Sequence, residues 1–142
     1  MSYVHLLILA TWEEAQETAS GKWLGDDFLG VALPSRGALY RRVVVNYGGK
    51  VIYAECRDIG PWCIDDDEYV FGEARPRAEI YVGKYCPVKK GGTGHATVPD
   101  GYGGWIAVHT SNGAGIDLFP ATGVALGIRS NTNVQVDWSF SD

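Results

Sequence analysis

The amino-acid sequence predicts a mainly β fold, a small barrel or sandwich of short strands with one short helix. Three observations carry this expectation. Val, Tyr, Trp and Thr, the residue types that suit a pleated and half-buried surface, supply much of the apolar content. Glycine is abundant, 19 of 142 residues, or about 13% against an ordinary share of about 7%. The apolar runs are short, and turn residues bound them before they reach helical length. A chain of 142 residues predicts a single domain spanning 1–142. Folding at that length buries roughly two-thirds of the extended chain's surface. Hydrophobic content of 46% and charged content of 20% exclude intrinsic disorder and coiled coil.

The elements follow in order. Tyr3–Trp12 reads as a buried first strand around the run Val4–Ala10, and Glu13–Gly25 as a polar loop with a helical turn at Glu13–Thr18. Phe28–Leu33 is a short strand closed by Pro34 and Gly37. Tyr40–Asn46 and Lys50–Arg57 flank Tyr47-Gly48-Gly49, the clearest hairpin in the chain. Asp65–Pro76 is acidic and irregular, and Ala78–Val82 is a candidate strand. A glycine-rich insertion at about 83–111 follows, with Trp105–His109 a strand inside it. Ile116–Leu118 is a short buried strand. Pro120 then opens a helix over Ala121–Leu126, and Gly127 stands where a C-terminal helix glycine belongs. The alternation of Val134–Phe140 makes it the closing strand.

A net charge of −5 gives no electrostatic footprint for nucleic acid and disfavours an anionic membrane surface. The run Val4–Ala10 is too short to span a bilayer and lacks a basic leader, so the sequence predicts no signal peptide and cytoplasmic synthesis. Cys56, Cys63 and Cys86 form no CxxC pair, and their odd number favours reduced thiols. The pair Cys63–Cys86 stays open if the chain ends up outside a cell. His5, His95 and His109 have no metal-ligand spacing, and no metal or cofactor is expected. Asp65-Asp66-Asp67-Glu68 lacks EF-hand spacing and reads as a solvated acidic loop in preference to a Ca²⁺ site. Lys89-Lys90-Gly91-Gly92-Thr93-Gly94 lacks the order of a phosphate loop.

Two segments together resemble the double-psi β-barrel family of rare lipoprotein A, expansins, barwin-like proteins and family 45 endoglucanases. The first is Arg57-Asp58-Ile59-Gly60-Pro61-Trp62, similar to that family's turn after a hairpin. The second is Gly113–Leu118 followed by Phe119-Pro120-Ala121-Thr122 and Ala125-Leu126-Gly127, similar to its strand-to-helix element. Thr18-Ala19-Ser20-Gly21 resembles a stretch near the start of rare lipoprotein A domains, and Val134–Phe140 the closing strand. The resemblance implies a six-stranded double-psi β-barrel with one short helix and a glycine-rich loop insertion.

It also implies a function. Bacterial and phage members cleave peptidoglycan, so the expected partner is peptidoglycan or another polysaccharide, with other virion proteins as further partners. The expected location is the virion or the cell wall. Asp117 matches the groove aspartate that serves as general acid/base, and Asp58 a second groove aspartate. Lytic transglycosylation needs only one carboxyl, because the sugar's own 6-hydroxyl is the nucleophile; hydrolysis more often needs two at a set separation. The competing role for each aspartate is to cap backbone N–H groups. Trp62, Tyr69, Tyr102 and Trp105 fall in expected loops as candidate sugar platforms. The chain departs from the family in three places. Lys22 replaces a Glu, Val31 or Ala32 stands where a His is expected, and Gly60 replaces a Tyr. These departures favour the rival expectation, a non-catalytic virion or tail module.

Overall fold

Six segments put one set of side chains inside and the other out, and they close into a barrel. The structure is a computed structural model that describes residues 3–13, 18–21, 27–88, 97–99, 105–129 and 132–142, with the backbone alone at 88, 97–99 and 105–109. The barrel strands are β1 (His5–Trp12), β2 (Gly30–Leu33), β3 (Arg42–Tyr47), β4 (Lys50–Ile59), β8 (Ile116–Leu118) and β9 (Val134–Phe140), in the order β1-β8-β2-β4-β3-β9. Pairing is mixed: β1 with β8 and β2 with β4 run parallel, whereas β2–β8, β3–β4, β3–β9 and β1–β9 run antiparallel. This mixed closure is compatible with a double-psi barrel.

The interior is filled by Ile8, Ala10, Val31, Leu33, Val43, Val45, Cys56, Ile116, Leu118, Val136 and Trp138, all essentially inaccessible. They occupy alternate positions along their strands, as the two-residue period requires. The β3–β4 turn is made by Gly48 and Gly49, both at positive φ between paired Tyr47 and Lys50. That backbone matches strand twist and strongly favours glycine. In the β2–β4 pair Val31 meets Cys56 but Ala32 meets Asp58, so Arg57 is the extra residue of a bulge.

Among the described residues two short helices flank the barrel where one was expected. The expected one is α2 (Pro120–Ala125), one residue earlier than the sequence placed it. Gly127 ends it at φ 76, with Gly127 N–H bonded to Val124 O and Ile128 N–H to Gly123 O, the paired bonds of a Schellman cap. The other is α1 (Asp67–Val70), a single turn inside the acidic run that the sequence reads as irregular. Among the described residues no helix is long and apolar enough to cross a membrane.

Three further expectations are corrected. Ala78–Val82 is no strand: Arg77–Glu79 forms a 3-10 turn, because Asp66 Oδ2 accepts the Arg77 N–H at 2.7 Å and Ser111 Oγ donates to Ala78 O at 2.9 Å. Side chains have captured the backbone groups that a ladder would need. The insertion holds the strand expected at Trp105–His109 and two more besides. β5 (Tyr85–Val88), β6 (Thr97–Pro99) and β7 (Trp105–Thr110) form an antiparallel sheet in the order β5-β7-β6. The cysteines are not all reduced: Cys63 and Cys86 are disulfide-bonded, and Cys56 alone is free. The bridge is buried with Ile59, Ile64 and Ala78 in a second apolar cluster, which fixes β5 to the turn after β4.

Candidate functional site

β8 is three residues long, and its middle residue is the aspartate that the sequence singled out. Ile116 and Leu118 point into the barrel, so Asp117 must point out. Its neighbours follow from register. Thr11 of β1 pairs with Asp117 on one side, Ala32 of β2 pairs with it on the other, and Ala32 pairs in turn with Asp58 of β4. Thr11, Asp117, Ala32 and Asp58 therefore form one rung on the outer face of four strands. The two aspartates, 59 positions apart in sequence, stand two strands apart across an alanine. Strand spacing sets their backbones roughly 10 Å apart, with only a methyl group between them on that face.

The outer face here is covered rather than open, with Asp117 8% and Asp58 5% exposed. Thr11 Oγ1 donates to Asp117 Oδ1. Burial pushes the Asp117 carboxyl up to about 7, the Asp58 charge adds to the rise, and the Thr11 hydrogen bond opposes it. Asp58 Oδ1 accepts the Ala19 N–H at 2.8 Å, and the bulged Arg57 accepts the Ser20 N–H at its carbonyl at 3.1 Å. Residues 18–21 are thus strapped onto β4 beside the rung, which joins two of the segments that carry the family resemblance.

Sequence reasoning missed two neighbours. Thr11 carries no motif, and only the β1–β8 pairing, 106 positions apart, brings it to Asp117. Glu13 is also buried; with Asp58 its charge adds to the desolvation that pushes the Cys56 thiol up to about 12. A polar residue at the end of an apolar strand gave no warning of burial.

The aromatic candidates separate. Trp62 is half-buried against the disulfide cluster, and its Nε1 donates to Asn112 Oδ1 at 2.7 Å. Tyr69 is corrected outright. It lies in α1, fully buried, with its hydroxyl donating to Gly115 O at 3.0 Å and accepting from Trp138 Nε1 at 2.7 Å. A ring sealed in the core has no face to offer a sugar. Tyr102 lies outside the described residues; Trp105 begins β7, and its side chain lies outside them too. The acidic run Asp65–Glu68 is structural in part: Asp65 Oδ1 pairs with Arg77 at 3.0 Å, Asp66 holds the 3-10 turn, and Asp67 accepts from Ser35 Oγ. No group of three potential ligands that could hold a metal ion occurs among the described residues.

Across four strands the chain has assembled a buried carboxylic acid that titrates near neutrality, a hydroxyl bonded to it, and a second carboxylate one alanine away. A group of that kind can deliver a proton at physiological pH and take one back. No protein-family model matches the chain, and comparison with curated proteins finds no relative.

Proposed function

We propose that the chain is a peptidoglycan-active domain, lytic transglycosylase-like, with Asp117 as its general acid/base. One observation carries this reading: the rung Thr11–Asp117–Ala32–Asp58, in which the Asp117 carboxyl is pushed up to about 7. Near neutral pH a large fraction of Asp117 is protonated and able to give its proton to a glycosidic oxygen as the bond to the anomeric carbon breaks. The resulting carboxylate then takes the proton of the sugar's 6-hydroxyl as that oxygen attacks the same carbon, closing an anhydro ring. One carboxyl serves both steps, so no second carboxylate need activate water. Asp58 acts beside it as a charge that raises the acid's pKa and as the anchor of residues 18–21. Trp62 and Trp105 are the remaining candidate sugar platforms with described backbones.

A second reading has its own support. Both carboxylates are more than nine-tenths buried, and Asp58 is bonded to a backbone amide, as a non-catalytic virion or tail module would have it. Digestion of purified peptidoglycan decides between the two. The enzyme releases anhydro-muropeptides, and Asp117→Asn lowers that release roughly 10²–10⁴-fold. Absence of product from every peptidoglycan preparation leaves the module.

A further inference from the structure

We propose that a groove on the outer face of the β3–β4 hairpin is a binding site for a neutral oligosaccharide. The proposal takes its ligand class from the carbohydrate reading above and does not depend on cleavage.

The groove encloses about 510 Å³, within the range of small-molecule sites. Tyr53 stands in it, 66% exposed. Arg42 of β3 lies directly across from Glu55 of β4, and Asp27, Phe28 and Ser141 complete the lining. Arg57 stiffens one wall. Its guanidinium lies 5.3 Å from the Phe28 ring centroid and 5.2 Å from that of Tyr40, and its Nε is 2.5 Å from Glu55 Oε1. Tyr40 holds φ 71 while exposed, a costly backbone for a bulky residue, kept where its ring backs Arg57. Glu55 Oε2 carries no hydrogen bond among the described residues, and neither does the Arg42 guanidinium.

The chemistry is that of a polyol with an apolar face. A pyranose presents C–H groups that pack on an exposed aromatic ring, and hydroxyls that both donate and accept. Asp27 and Glu55 accept; Arg42 and Ser141 donate. Two carboxylates against two guanidiniums leave the groove near neutrality, which selects an uncharged ligand over an anionic one.

The test is titration of the isotope-labelled chain with chitotetraose and, separately, cellotetraose, followed by amide shifts. The expected result is saturable shifts at residues 28, 42, 53 and 55 with at least one of the two sugars. Tyr53→Ala should weaken binding tenfold or more, and Tyr53→Phe, which keeps the ring, should retain it. Tyr53 is exposed, so neither variant threatens the fold. Absence of saturable shifts at those residues with both sugars overturns the proposal, as does an unaltered affinity in Tyr53→Ala. Release of anhydro-muropeptides is scored separately, so either proposal can fail while the other stands.

Discussion

Asp117 titrates where it does because it is out of water, and that has a cost for the fold. Its ordinary value is 3.8 and its folded value about 7. Between those values the folded chain holds a proton that the unfolded chain has lost, so stability falls as pH rises through this window. His5 works in the opposite direction. Stacked on Trp138 at 4.2 Å and edge-on to Tyr69, it is held below its ordinary 6.5 mainly by burial, so its contribution is lost as pH falls. The difference between wild type and Asp117→Asn isolates the aspartate. Asn keeps an acceptor for Thr11 Oγ1 but has no charge to bury. The variant's advantage in chemical denaturation should grow from pH 4 to 7 and level off above, reaching on the order of 2–4 kcal/mol. A pH-independent difference would show that Asp117 is already ionised in the fold.

At the scale of elements, close approach decides which residues are tolerated. Glycine in a helix costs about 1 kcal/mol relative to alanine, yet Gly123 sits within α2. A β-carbon there would lie 2.5–2.8 Å from three atoms of the Trp12 indole, a rigid ring at the end of β1. Gly123→Ala should therefore destabilise by roughly 1–3 kcal/mol despite its better helix propensity, read as a lower Tm. A higher Tm would mean that α2 can move off the barrel. Strands and helix α2 were legible because their patterns are local: alternation in Val134–Phe140, the glycine pair at 48 and 49, Pro120 and Gly127 bounding a helix. The site was legible as two aspartates and no further. Strict alternation in β4 would send Asp58 into the core after Ala54 and Cys56; only the bulge brings it out. Thr11 and Glu13 reach the site through pairings that no local pattern announces. Tyr69 misled because an acidic flank, Asp65–Glu68, looks like solvent when it is tied to Arg77 and Ser35.

For the whole molecule, closure depends on contacts between distant parts of the chain. β9 pairs with both β1 and β3, and Arg41 holds Asp142 at 2.8 Å. The β5-β7-β6 sheet is tied to the barrel by the Cys63–Cys86 bridge, by Arg77 donating to Pro87 O at 3.2 Å, and by the Val82–Ser111 bridge. The disulfide closes a loop across a separation of 23 residues, so Cys63→Ser/Cys86→Ser should lose on the order of 3 kcal/mol. Dithiothreitol should reproduce that loss in the wild type and do nothing further to the double variant. Cys56, whose thiol is pushed up to about 12, should resist alkylation until the chain unfolds. An equal response of both proteins to reductant would remove the bridge from the stability of the fold.

The bulge at Arg57 has a further consequence. In the pairing with β2, Arg57 is a spare link: Cys56 faces in, Asp58 faces out, and the residue between them has no partner on β2. Removing that link would keep the odd-even order intact, since Asp58 directly after Cys56 still faces out. Adding a second link would put Asp58 three positions after Cys56, where alternation again faces out. The strap and the groove hang on the spare link, through its carbonyl and its guanidinium, while the barrel's own count does not. A one-residue deletion could therefore detach the functional surface and leave the scaffold standing, a separation that side-chain exchange at this position would achieve only in part.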